Sequence, residues 1–389
     1  MDINALIQTF QSAAPQMSTS YCIINGALMN LDEVQNMGYD EFSLWAKINM
    51  PLKLYKYFPN REIPLIDEET GQKKTVNYSI QALRDNTVFM QSPSLFDDVY
   101  DSDISLNYND YERARLLEYC KRCDLKVNDT MPTQELGSVL LQAIGESFNS
   151  TGNFDFIFKC KPDSELEELS DKAFMLKLEN ELLKDQNWST AIGRVIASDF
   201  AKYSQRLQNI FRATCFATTP YSQLMWGGSY ADCHRGFCIE YTVRPNDPKY
   251  QELFYNLFPM IYCKPRPNMT EKLTEFEHKE PTKEFLWDIY FHGALRKSID
   301  WAFQNEWRLL LPMKQNLESK DYCVPFFPIS KVFLGNRMPR TARKEIIEIC
   351  HEKNIPYIGV TRNPHVFEMQ ECEVRCEECP NYISDNIPE

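Results

Sequence analysis

Apolar residues change their spacing along this chain, and the changes mark its elements. Leu54-Tyr55-Lys56-Tyr57-Phe58 and Val88-Phe89-Met90 are short aromatic and β-branched runs, which predict strands. The second run stops at Ser92-Pro93, where proline cannot donate to a ladder. Ser79–Leu83, between them, predicts a helical turn. From residue 111 to 212 the spacing becomes helical. It is seen in Ala114–Tyr119, Leu136–Phe148, Leu166–Leu183 and Ala191–Phe211. Strand signals return at Thr214–Thr218, Gly236–Val243, Phe258–Tyr262, Glu306–Leu311, Tyr322–Phe326, Lys331–Leu334, Tyr357–Val360 and Val366–Met369. Helices are predicted among them at about Thr282–Lys297 and Thr341–Lys353.

Strands grouped apart from helices predict an α+β fold rather than a repeating βαβ order. The expected architecture is mixed, mostly antiparallel sheets around a central cleft, with a helical insertion. The expected divisions are a mostly helical lead-in at 1–50, a split core at 51–110 and 213–370, the insertion at 111–212, and a Cys-rich tail at 371–389.

Composition narrows the function classes. With 43% hydrophobic residues, the 389-residue chain can bury a large core. Its 55 acidic residues exceed its 42 Lys plus Arg, for a net charge of -13. That field repels a polyanion, so nucleic acid is not an expected partner. Met1-Asp2-Ile3-Asn4 is not the basic start of a signal peptide, and no apolar run of 18 residues occurs. A cytoplasmic protein without a membrane partner is expected. Its 13 cysteines, an odd number, are expected mostly as free thiols.

Three segments carry candidate chemistry. In Ser92–Asp103 the carboxylates Asp97, Asp98, Asp101 and Asp103 fall within seven positions. They can hold a hard cation or ribose hydroxyls, or form an Asp-rich turn bonded to its own backbone. In Cys215–Tyr241 a glycine-rich aromatic loop joins two strands. There Gly227-Gly228 allows close backbone approach, and Trp226 and Tyr230 can stack on a flat base. His234, between Asp232 and Arg235, can act as an acid–base group or as a surface residue. In Lys297–Arg308, Gln304 and Glu306 stand two apart, which on a strand puts both on one face. A carboxylate there can stabilise a cationic sugar or pair with Arg308, which is itself a candidate substrate contact. Cys120-x2-Cys123 and Cys376-x2-Cys379 are weak candidates for zinc, because a tetrahedral thiolate site needs two converging pairs. Phosphate-loop, dinucleotide, nucleophile-elbow and H-E-x-x-H motifs are absent, which argues against those enzyme classes.

These segments resemble a bacterial domain-of-unknown-function family numbered 2971. The resemblance runs through Leu54–Tyr57, Ser92-Pro93 with Phe96-Asp97-Asp98 and Asp101, Leu224–Trp226, Tyr230–Asp232, His234–Tyr241, Trp301–Arg308 and Ile329–Gly335. Where that family usually has a histidine before the loop tyrosine, this chain has Ser229. Where it often has Glu, this chain has Gln304. The order of motifs is more distantly similar to ADP-ribosyltransferase-fold proteins, many of which are bacterial toxins or phage-defence effectors. That similarity implies NAD as substrate and assigns ribose or phosphate to Tyr55 or Lys56. It gives nicotinamide to Trp226 and Tyr230, and the sugar cation to Glu306. Two other readings stay open. One is a metal-dependent nuclease or phosphodiesterase using Asp97, Asp98, Asp101 and Glu306. The other is a non-catalytic module that senses a small nucleotide or docks a protein partner through 111–212.

Overall fold

The computed structural model describes residues 20–66, 73–98, 100–151, 165–184, 187–208, 211–266, 268–276, 282–312 and 322–373. The chain divides into two compact units. The first comprises Met1–Asp101, Phe211–Lys264 and Leu295–Glu389; the second comprises Ser102–Ile210 and Pro265–Ala294.

The first unit opens with a hairpin, β1 (Tyr21–Ile24) and β2 (Ala27–Asn30), inside the segment expected to be mostly helical. Asn25 and Gly26 form its turn at φ 50° and 76°. Both values lie in the left-handed region that a two-residue hairpin turn requires, and Asn-Gly is its usual sequence. Helices Leu31–Gln35 and Tyr39–Ile48 follow, the first capped by the Asn30 side chain.

Next come β3 (Lys53–Phe58), β4 (Ile63–Ile66), β5 (Lys73–Val76), helix Tyr78–Asp85 and β6 (Thr87–Met90). After the second unit's first segment, the chain returns in β7 (Phe211–Phe216) and β8 (Phe237–Thr242). The run expected as one strand over Phe258–Tyr262 is two, β9 (Leu257–Pro259) and β10 (Ile261–Cys263). Met260, between them, donates its N–H to the Glu306 carbonyl at 2.9 Å. The remaining strands are β11 (Arg296–Ser298), β12 (Trp307–Pro312), β13 (Tyr322–Pro325), β14 (Ile329–Leu334), β15 (Tyr357–Arg362) and β16 (Met369–Glu371). Helix Arg340–Lys353 links the parallel pair β14 and β15.

The largest sheet has the order β16-β15-β14-β8-β3 and is antiparallel except at β14–β15. A second sheet, β7-β12-β9, is wholly antiparallel. Single bridges join Tyr55 within β3 to Ala217 just past β7, and Gln91 just past β6 to Ala213 within β7. Mostly antiparallel sheets with separate helices make the fold α+β. Strand alternation divides the side chains of β3 between two faces. Tyr55 and Tyr57 enter a core with Trp226, Met225 and Phe333. Lys56 turns the other way, toward Thr214.

The second unit carries helices only among the described residues: Tyr108–Arg122, Thr133–Thr151, Glu165–Lys184, Trp188–Gln208, Thr270–Phe276, Lys283–Ile289 and a π-helical turn at Tyr290–Ala294. Tyr111, Tyr119, Leu140, Ile144, Phe174, Leu178 and Val195 form its core. The helix expected through Lys297 therefore ends early, and Lys297 lies on β11. The strand expected from Val366 begins at Met369. Among the described residues no helix is long and apolar enough to cross a membrane.

Two glycines illustrate opposite backbone constraints. A Cβ on Gly236, just before β8, would lie 2.0 Å from the Phe58 carbonyl oxygen, so the β3–β8 pair would have to part. A Cβ on Gly145, in helix Thr133–Thr151, meets nothing within 4 Å. Gly236→Ala is expected to destabilise the protein by about 3 kcal/mol through backbone overpacking. Gly145→Ala is expected to stabilise it by about 0.5–1 kcal/mol through helix propensity. Denaturant melts of the two variants check the opposite signs.

Candidate active site

The first unit encloses a cleft of about 560 Å³, within the usual span of small-molecule sites. Tyr78, Phe89 and Leu95 contribute apolar wall that is more than one-third exposed. Opposite in character are Lys56, Asp97, Asp98, Thr214, Tyr230, Lys297, Gln304 and Glu306, which also line it. Ligand-sized space, exposed apolar wall and convergent polar groups together make this cleft the candidate binding site.

Its floor is a buried ion cluster. Arg308 sits in the apolar strand β12 and is 0% exposed. A charge so placed must be paired, since an isolated buried ion is strongly disfavoured. Its Nη1 and Nη2 donate to Asp101 Oδ1 and Oδ2 at 2.7 and 2.9 Å, a bidentate fork. Its Nε donates to Glu306 Oε1 at 2.9 Å. Lys297 Nζ bridges the two acids, 3.1 Å from Asp101 Oδ2 and 3.4 Å from Glu306 Oε2. Two anions thus meet two cations.

The electrostatics follow from that balance. Burial pushes the Asp101 carboxyl up, but Arg308 and Lys297 outweigh it and bring it down to about 2. Glu306 is treated the same way and is held below the ordinary glutamate range. Burial opposes the charge on Lys297, yet Glu306 and Asp101 raise its value overall. Both carboxylates are therefore ionised. Lys56 differs. Burial depresses its ammonium, and the nearby Glu306 charge offsets only part of that. Its Nζ donates to Thr214 Oγ1 at 2.8 Å and to the Cys215 carbonyl at 3.1 Å.

Gln304 and Glu306 do not share a strand face, as their spacing suggested. Gln304 ends a 3-10 turn, Ile299–Gln304, and β12 begins at Trp307. Asn305 between them is left-handed, at φ 41°. This kink, not strand alternation, brings both side chains to Lys297. Lys297 Nζ donates to Gln304 Oε1 at 2.9 Å, and Gln304 Nε2 donates to the Tyr230 hydroxyl oxygen at 2.6 Å. The Glu306 N–H is held by the Tyr262 hydroxyl at 2.8 Å.

Of the residues singled out from sequence, Lys56, Asp97, Asp98, Asp101, Tyr230, Gln304 and Glu306 meet at this cleft. Tyr55 also borders it, but its hydroxyl donates to Glu240 Oε2 at 3.0 Å. Arg308 lies beneath as the partner of the acids. Trp226 is not among the lining residues. It is 0% exposed, packs edge-on against Tyr57, and donates its Nε1–H to the Pro220 carbonyl at 2.7 Å. Its indole is core and does not face the cleft, contrary to the stacking position expected for it. His234 is also absent from the lining. It follows Asp232 and Cys233 in a left-handed run, with its ring parallel to that of Trp226 at 6.3 Å. Burial and the charge of Arg337 lower its value. Asp232 pairs with Arg235 instead. Gly227 and Gly228 do not border the cleft.

Cys120 and Cys123 are buried in the second unit's core, where burial pushes the Cys120 thiol up to about 11. Cys376 and Cys379 lie outside the described residues. Among the described residues no group of three or more His, Cys, Asp or Glu is arranged to hold a metal ion. Sequence reasoning passed over Lys297, the hub of the cluster, because it was assigned to the end of a helix. The unexplained Arg308 within Trp307-Arg308-Leu309-Leu310-Leu311 was the signal that a buried counter-ion set existed.

A family described as Protein of unknown function (DUF2971) matches residues 225–309. That stretch includes Tyr230, Lys297, Gln304, Glu306 and Arg308, so the resemblance covers most of the cluster. No curated protein and no solved structure matches the chain.

Removing Arg308 leaves two buried carboxylates short of a partner. Arg308→Ala is expected to cost about 3–5 kcal/mol in a urea melt, against under about 1 kcal/mol for the exposed pair partner Arg84→Ala. The acid side gives a second expectation. Asp101 binds its proton less readily folded than unfolded, so its stabilisation is present above about pH 4. That stabilisation is lost as pH falls from there toward about 2. Melts across this window should show a steep decline in the wild type and a flatter one in Asp101→Asn.

Proposed function

We propose that this cleft binds NAD and that the protein breaks the N-glycosidic bond. In this reading it is an ADP-ribosyltransferase-like or NAD-glycohydrolase-like effector of the toxin or phage-defence kind. The observation that carries the reading is Glu306: a carboxylate kept ionised while buried, at the wall of a ligand-sized cleft. When the bond from ribose C1 to the nicotinamide nitrogen breaks, its electron pair leaves with nicotinamide. The ribose is left as an oxocarbenium cation. A fixed negative charge in a site sheltered from water stabilises that cation more than it stabilises neutral ribose. The oxygen of water or of an acceptor hydroxyl then bonds to C1 and releases its proton to solvent. Exposed Phe89, Leu95 and Tyr78 supply apolar surface for the bases.

A second reading has its own support. Each Glu306 oxygen already accepts from a cation, Oε1 from Arg308 and Oε2 from Lys297. That pairing mutes the field reaching the cleft and favours a non-catalytic nucleotide sensor. The two readings separate in one assay. Purified protein incubated with NAD, with and without cell extract as acceptor source, is expected to release nicotinamide. Glu306→Gln is expected to lower that rate about 10²–10³-fold. NAD binding with no nicotinamide release in either mixture would leave the sensor reading alone.

A further inference from the structure

The direction of the hydrogen bonds beneath the cleft settles something about its ligand, given that the cleft binds a nucleotide as proposed above. An ammonium can only donate. The Gln304 atom facing Lys297 Nζ at 2.9 Å must therefore be the amide oxygen. The amide nitrogen then faces the Tyr230 hydroxyl at 2.6 Å. An amide nitrogen also only donates, so the phenol oxygen is the acceptor. The hydroxyl's own proton must point elsewhere. Among the described residues the hydroxyl makes no hydrogen bond besides the one it accepts from Gln304, and Tyr230 borders the cleft.

The geometry points to Tyr230 as a fixed hydrogen-bond donor that selects a ligand presenting a carbonyl or phosphoryl oxygen, with Gln304 and Lys297 as the positioning residues that set its direction. Burial pushes the phenol up to about 12, so it keeps its proton across the physiological range. A ligand placing an ammonium there would set donor against donor. Gln304→Glu is the informative reversal. The carboxylate keeps the shape and the Lys297 partner, but it accepts the Tyr230 proton and takes the donor out of the cleft.

The test is calorimetric titration of wild type, Tyr230→Phe and Gln304→Glu with four probes: NAD, nicotinamide, ADP-ribose and benzylamine. A melting curve for each variant checks that it folds. NAD affinity is expected to fall about tenfold in both variants, the worth of one hydrogen bond. A parallel fall confined to nicotinamide marks a carbonyl contact; one confined to ADP-ribose marks a phosphoryl contact. Benzylamine is not expected to weaken in either variant. Wild-type affinity for every probe in Tyr230→Phe, or in a folded Gln304→Glu, overturns the inference. So does the absence of binding by all four probes to wild type. NAD turnover with unchanged variant affinities removes this inference and leaves the glycosidic reading. Tyr230-dependent binding without turnover removes that reading and leaves the inference.

Discussion

The first unit is organised around one electrostatic arrangement: the fork between Arg308 and Asp101, with Glu306 and Lys297 completing a neutral quartet in the interior. Four ionised groups come from the Asp-rich turn, from β11 and from the two residues flanking Trp307 where β12 begins, the first far in sequence from the other two. None of them is tolerable alone in that setting. Their mutual satisfaction thus holds these segments in one register, and the same register places Glu306 and Lys297 at the cleft wall. The constraint is one of specificity as much as stability. An apolar quartet of equal volume would pack there, but it would present no charge to a ligand.

Polar direction propagates outward from this quartet. Lys297 orients Gln304, Gln304 orients Tyr230, and Tyr262 fixes the Glu306 backbone. The left-handed Asn305 makes this possible by turning the chain between Gln304 and Glu306. A regular strand would hold the pair on one face but offers no reason for both to reach the same ammonium. On the other side of β3, Tyr55, Tyr57 and Trp226 share a core; the two tyrosines also border the cleft, and the indole does not.

Much of this was legible from residues. Apolar and aromatic runs located β3, β8, β12 and β14 closely, because each strand is largely buried and so reads as an apolar run. The order of the Asp-rich turn, aromatic loop and Glu306 segment identified the cleft residues Asp97, Tyr230, Gln304 and Glu306. The failures have physical causes. Trp226 looked like a stacking platform, but an indole is as often core, and only its Nε1 partner at Pro220 reveals which. His234 looked poised by its charged neighbours, yet a left-handed backbone carries it away from the cleft lining. Asp101 and Arg308 were read as substrate contacts, whereas they are chiefly contacts of one another. Pairing between residues 207 positions apart leaves no local pattern. The hairpin at Asn25-Gly26 was missed, because the lead-in was expected to be mostly helical, although Asn-Gly is the usual sequence of a two-residue turn.

A ligand in the cleft meets Glu306 as an ionised carboxylate, and the proposed chemistry depends on that charge. Carbon-detected NMR of carboxyl-labelled glutamate, assigned through Glu306→Gln, measures both parts in one titration. Glu306 is expected to titrate below the ordinary glutamate value, and its signal is expected to move when NAD is added. Titration at or above the ordinary value, with a signal indifferent to NAD, would contradict both expectations.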